Sequence, residues 1–187
     1  MFKLTKKGQA SSTFQLLIAA IVALAILGVL ISVIGGINTV SGDAKTAATQ
    51  KLKTQMQNPG SVDCTDAVTF KKANTLAAEG VTKDTGLDPE QVFFTNEIDN
   101  ISNFNATGNA KAILKYTGTS SKRVVLCVLC SSNGKAGLDE AIKANELMGS
   151  SNTSLSDAEW PSQPTDGRNG FPESGETGCV IYPKKTA

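Results

Sequence analysis

The chain has no histidine among its 187 residues, and aromatic side chains make up only 5% of it. Without histidine there is no Ser-His-Asp triad, no imidazole metal ligand and no imidazole base working near neutral pH. Charge of one sign is also missing in excess: 18 Lys+Arg face 17 Asp+Glu, a formal net charge of +1. That balance excludes the strongly basic composition of a typical nucleic-acid-binding domain. The mean hydropathy of -0.08 is that of an ordinary soluble protein, but the average hides a segregated chain.

No charged residue occurs from Gly8 through Gly42, a run of 35 residues. Its centre, Leu16 to Ile34, is 19 residues of almost only Leu, Ile, Val and Ala, interrupted by Gly28 and Ser32. As a helix rising ~1.5 Å per residue, such a stretch matches the thickness of a bilayer's hydrocarbon core. It shows no polar stripe of the kind a surface helix carries. Lys3, Lys6 and Lys7 precede it and a mixed-sign sequence follows, so the positive-inside rule keeps the N-terminus in the cytoplasm and sends the rest outside. Three fates are open to the segment: a removed signal peptide, a retained anchor, or loss of the basic leader alone. The first fits poorly, because the apolar stretch exceeds a typical signal-peptide core and its A-x-A patterns lie inside the run.

The residues Lys6-Lys7-Gly8-Gln9-Ala10-Ser11-Ser12-Thr13-Phe14-Gln15-Leu16 resemble the class III signal peptide of archaeal type IV pilin-like proteins. The resemblance covers about Lys6 to Ile37. It implies cleavage by a prepilin peptidase between Gly8 and Gln9, with Lys6 and Lys7 as the basic flank. At the fifth mature position, where the family often has Glu, this chain has Thr13, which offers a hydrogen bond but no charge. That departure suits a minor or divergent subunit.

Beyond Gly35-Gly36, the positions Ala44, Ala47, Ala48, Leu52 and Met56 fall at helical spacing, and Asn58-Pro59-Gly60 is a stop. The expectation is a single long helix, kinked at its glycines, from about Phe14 to Gln57. The chain then divides into a basic leader (1–8), a long N-terminal helix (9–58) and an extracellular head (61–187). In the head, strands are expected at Ala67–Phe70, Gln91–Phe94, Ala110–Thr117, Arg123–Cys130 and Cys179–Tyr182. Arg123–Cys130 is nearly continuously apolar and reads as the central buried strand. Helices are expected at Asn74–Asp84 and Leu138–Met148, and irregular loop from Ser150 to Gly178. The expected fold class is α+β: the long hydrophobic helix, then a small head with a mostly antiparallel sheet and two short helices, type IV pilin-like.

All four cysteines, Cys64, Cys127, Cys130 and Cys179, follow the apolar segment. An even number in an oxidising location points to disulfides, with three pairings open. Cys127 and Cys130 would point to opposite faces of one strand, so a bridge between them is disfavoured and each is expected to pair with Cys64 or Cys179. The rivals are weaker: a zinc site lacks its second C-x-x-C half, and a redox motif lacks the strand-to-helix context. Asn100, Asn105 and Asn152 open N-x-S/T sequons and are glycosylation candidates.

Catalytic chemistry finds no support. Asp66, Asp84, Asp88, Glu90, Glu97 and Asp99 form no paired-carboxylate or calcium-loop spacing, and Asp166–Gly170 reads as a surface turn. Gly134 and Gly137 flank Lys135 without a Walker pattern, and Trp160 reads as a loop anchor. No enzyme, metal or cofactor is expected. The resemblance implies a subunit of a surface filament, or alternatively a minor pilin or a membrane-anchored adhesin or substrate-binding protein. Its implied partners are other copies or related pilins, the prepilin peptidase, and the cytoplasmic membrane before assembly, but not nucleic acid. Ala19, Ala20, Ala23 and Gly28 are small enough to let apolar helices approach closely. Losing residues 1–8 would remove Lys3, Lys6 and Lys7, taking the basic count from 18 to 15 against 17 acids, a net charge of -2.

Overall fold

The computed structural model describes residues 18–24, 26–27, 44–148, 154–156, 160–161 and 170–186. The chain divides into two compact units, Met1–Ser41 and Gly42–Ala187. In the first, residues 18–24 and 26–27 are helical. Their large apolar side chains are open to solvent, from 47% exposed at Ile18 to 67% at Leu24.

Among the described residues the expected long helix is not present. The helix before the head, α1, spans Ala44–Gln57, 14 residues. Among the described residues no helix is long and apolar enough to cross a membrane. The reason lies in composition. The unit boundary falls at Gly42, and glycine costs a helix interior about 1 kcal/mol relative to alanine. Past it, Lys45, Lys51 and Lys53 make α1 a surface helix with one narrow buried stripe. That stripe is Ala48, Leu52 and Gln55. The helix stops at Asn58-Pro59-Gly60, where Gly60 takes φ 93°, a left-handed conformation that suits glycine.

The second unit is a sheet-rich α+β fold. Its strands are β1 (Val62–Cys64), β2 (Val68–Phe70), β3 (Thr75–Ala77), β4 (Val92–Phe94), β5 (Phe104–Thr107), β6 (Ile113–Tyr116), β7 (Lys122–Ser131) and β8 (Gly178–Lys184). Two further helices are α2 (Ala78–Thr82) and α3 (Gly134–Ala144). The main sheet has five strands in the order β1-β7-β8-β4, with β2 also paired to β7. A second sheet has the order β3-β6-β5. All pairings are antiparallel except β4 with β8, which is parallel.

Between β1 and β2, Thr65 keeps its place beside β7. Its amide donates to the Leu126 carbonyl at 2.8 Å, and its Oγ1 accepts the Leu126 amide at 3.0 Å. The hydroxyl thus substitutes for a backbone acceptor while the chain shifts register.

The central sheet is apolar on both faces, which explains the unbroken hydrophobic run of β7. One face presents Val124, Leu126, Val128 and Cys130 with Val92, Phe94, Cys179 and Ile181, and packs against Ala48 and Leu52 of α1 and Leu76, Phe104, Leu114 and Tyr116 of the smaller sheet. The other presents Cys127, Leu129, Phe93, Val180 and Tyr182, and packs against Leu138, Ala141 and Ile142 of α3 with Leu155, Trp160 and Phe171. The alternation is strict because successive strand side chains point to opposite faces.

Three other expectations shift. The helix expected over Asn74–Asp84 is a strand and then a short helix, because Leu76 is buried opposite Leu114. The helix expected over Leu138–Met148 is α3, four residues earlier at its start and ending at Ala144. Strands β1 and β5 lie where no strand was expected. The described residues of 150–177 contain no helix or strand.

Candidate functional site

The cysteines lie at the centre of the head. Cys64 is directly opposite Cys127 in the β1–β7 ladder, and Cys130 directly opposite Cys179 in the β7–β8 ladder. Both pairs are bonded, across sequence separations of 63 and 49. Each bridge spans neighbouring antiparallel strands, and the two lie on opposite faces of β7. The Cys130–Cys179 bridge is fully buried in the layer shared with α1. The Cys64–Cys127 bridge lies on the α3 side, with Cys64 half-buried at the sheet's edge. No cysteine is free, and two disulfides are the mark of an extracellular or secreted domain.

The carboxylates scattered through the loops act as local clamps. Asp88 and Gln91 form a reciprocal capping box on the short 3-10 turn Pro89–Gln91. Glu97 accepts hydrogen bonds from the Ser156 amide and hydroxyl at 3.3 and 2.9 Å, which ties that loop down. Asp99 accepts the Lys185 amide at 2.9 Å. Among the described residues no three His, Cys, Asp or Glu side chains are grouped as a metal site would require.

Trp160 is 7% exposed and packs its ring against Phe93 and Phe171, with Lys135 Nζ 5.2 Å from its centroid. The start of α3 is wrapped by main chain. The amides of Gly134, Lys135 and Ala136 donate to the carbonyls of Glu176, Pro172 and Glu173 at 2.7, 2.8 and 3.2 Å. Asn133 Oδ1 accepts the Gly175 amide at 2.9 Å. These donors are consumed, so this helix end has no anion cradle. Tyr182, beside Cys127 in the ladder, is buried with no partner for its hydroxyl. Burial, with the Asp99 carboxylate adding to it, pushes its pKa up to about 12.

The chain matches no protein-family model, no curated protein and no solved structure.

Of the residues singled out by sequence, Lys6, Lys7, Gly8, Gln9, Thr13, Gly28 and Asn152 lie outside the described residues, as does Asp166. Ala19, Ala20 and Ala23 are exposed helical residues. Asn100 is exposed in a turn at φ 40°, with the neighbouring Ile101 only 1% exposed. Asn105 stands on β5, an edge strand, and Thr107 of its sequon is exposed on the same outer face. The sequence reading missed this strand because Phe104-Asn105-Ala106-Thr107 has too few apolar residues to show an alternating pattern. The signal present was a phenylalanine and a threonine flanking the asparagine, both strand formers.

Proposed function

We propose that this chain is a structural subunit of an archaeal type IV pilus-like surface filament, cut between Gly8 and Gln9 and joined to its neighbours through its apolar N-terminal segment. What carries the reading is one juxtaposition in the sequence: the Lys6-Lys7-Gly8-Gln9 junction stands directly before an uncharged, lipid-grade stretch. The exposure of Ile18, Ile21, Val22 and Leu24 supports it, since apolar surface of that kind needs lipid or other copies to cover it. Ala19, Ala20 and Ala23 beside them leave room for close helix approach. The disulfide-braced second unit suits an exposed outer domain, because covalent ties resist unfolding where no reductant or chaperone is at hand.

N-terminal sequencing of protein from the cell surface tests the processing step, and a mature start at Gln9 is the expected result. Electron microscopy of expressing cells tests assembly. If the chain is absent from every filament, the subunit reading fails. A second reading, a minor subunit or anchored adhesin, is favoured by Thr13, whose uncharged side chain cannot neutralise a neighbour's terminal amine. Substoichiometric amounts in purified filaments would select it.

A further inference from the structure

The α3 side of the central sheet carries opposite charges at its two ends. At one end, Lys184 stands directly opposite Val125 in the β7–β8 ladder, so the two share a face. Arg123, two residues before Val125 on β7, points the same way. Val125 packs with the cluster beneath α3, which fixes that face as the α3 side. Arg123 and Lys184 are diagonal neighbours, roughly 7–8 Å apart. Both are exposed.

At the other end, Glu173 and Glu176 wrap the start of α3. Their carbonyls accept the amides of Ala136 and Gly134 at 3.2 and 2.7 Å, and both residues are exposed. Glu176 lies two residues before β8 begins at Gly178, which pairs with Ser131, the last residue of β7. Lys184 closes the same strand. At ~3.3 Å per residue, Gly178 and Lys184 are roughly 20 Å apart, so the two charged pairs do not meet within one copy. Among the described residues the one ion pair is Lys51 with Asp63, so none of these four side chains is neutralised by a salt bridge. Close to them, Lys135 is turned onto the Trp160 ring, 5.2 Å from its centroid, and Asp99 holds the Lys185 amide at 2.9 Å.

We propose that copies of this chain dock end to end, the Arg123–Lys184 pair of one copy against the Glu173–Glu176 pair of the next. Charge complementarity selects a second copy as the partner. Two cations and two carboxylates on the same side of one sheet are matched in number and opposite in sign. A different acidic or basic protein would engage one pair and leave the other without a role. The contact is heterologous, because each copy uses a different patch for each neighbour. It leaves one pair free at either end, and such a series grows as an open filament when no rotation closes it. The inference rests on the filament reading and adds to it a contact between outer domains. Exposed ion pairs are individually weak, so the contact needs copies brought together by their apolar segments.

The test uses the full-length chain, concentrated in detergent, as an equal mixture of isotopically light and heavy copies. A carbodiimide joins a lysine amine to a carboxylate only where the two touch. The expected product at low salt is a light-to-heavy peptide pair linking Lys184 to Glu173 or Glu176, fading as salt shortens the Debye length. Charge reversal supplies a second readout. R123E/K184E and E173K/E176K should each weaken the salt-sensitive part of self-association ~10-fold in sedimentation, because like charges then face each other. Mixing the two variants should restore it, since every meeting of ends is again between opposite charges. Three outcomes overturn the proposal: no hybrid cross-link between these ends in the parent, association unchanged by either reversal, or no recovery on mixing. Recovery on mixing, with thermal melting as in the parent, shows that the variants are folded. Filaments that contain the chain but lack the cross-link sink this contact alone. A cross-link with the chain absent from every filament sinks the subunit reading alone.

Discussion

Cys127 and Cys130 lie three residues apart on β7 and anchor disulfides on opposite faces of the same strand. Strand geometry forces this, since an odd spacing reverses the side-chain direction. One bridge ties β7 to the strand that follows α1, and the other ties it to the C-terminal strand. The central strand is thereby locked to neighbours from both ends of the head sequence.

The two bridges should differ in accessibility. Their loop lengths are similar, 63 and 49 residues of separation, so each contributes a comparable ~2–4 kcal/mol of stability. Cys130 and Cys179 are both 0% exposed, whereas Cys64 is half-buried at an edge. Mild dithiol treatment of the folded protein should open Cys64–Cys127 first, and Cys130–Cys179 only with denaturant. Alkylation and peptide mass mapping at each stage would show the order, and alkylated Cys64 and Cys127 are the first products expected.

Tyr182 makes stability fall at high pH. Its folded pKa is about 12 against 10.0 for the free side chain, so the native state favours the protonated phenol. Between those values the unfolded chain has lost a proton that the folded chain still holds, and stability drops as pH rises through the window. The contribution is full below about pH 10 and amounts to ~3 kcal/mol lost by pH 12. Tyr182→Phe removes that slope. It also deletes a buried hydroxyl with no partner, so at neutral pH it should leave stability unchanged or raise it by ~1 kcal/mol. Urea melts of both proteins at pH 7, 10 and 11.5 measure both effects.

Gly134 should not tolerate a side chain. It sits at φ 50°, and an added Cβ would collide with the Pro172 carbonyl that receives the Lys135 amide. Gly134→Ala is expected to cost ~1–3 kcal/mol from backbone strain, with the collision adding to it. Gly175→Ala is the comparison, since its φ is 78° but nothing lies within 4 Å of its added Cβ. A larger loss at Gly134 than at Gly175 in denaturant melts would confirm that α3 is held at its start by the main chain of 172–176.

Asn105 is the better presented of the two described sequons. Asn105 and Thr107 face outward together on an edge strand, while the Asn100 sequon has its middle residue buried. A glycan at Asn105 would stand clear of both cores and would shield an open strand edge from pairing with another chain. Protein purified from its natural surface should carry saccharide mass at Asn105. Asn105→Gln should remove that mass while leaving the melting temperature within ~2 °C, as expected of a small change at an exposed position.

Much of the head was readable before any fold was known. The run from Arg123 to Cys130 announced a strand buried on both faces, and β7 is that strand. Val68–Phe70, Val92–Phe94 and Ile113–Tyr116 fall inside expected strands because branched and aromatic residues cluster there. The helix over 14–57 failed for an opposite reason. Apolar spacing on each side of Gly42 is compatible with helix, but spacing says nothing about continuity through glycines. The C-terminal strand was also legible, but not its parallel pairing with β4.

The sequence by itself determined the segregation of the chain: an uncharged apolar segment, a polar α1 face, a twice-buried central strand and four cysteines beyond the segment. These are local patterns, written in composition and periodicity. Only the tertiary structure decided which cysteine meets which, that β4 lies parallel to β8, and that Thr65 sits beside Leu126. Those are matters of register between strands far apart in sequence, as where Val92 pairs with Cys179. They are set by how the two faces of β7 are buried, and no single segment carries that information.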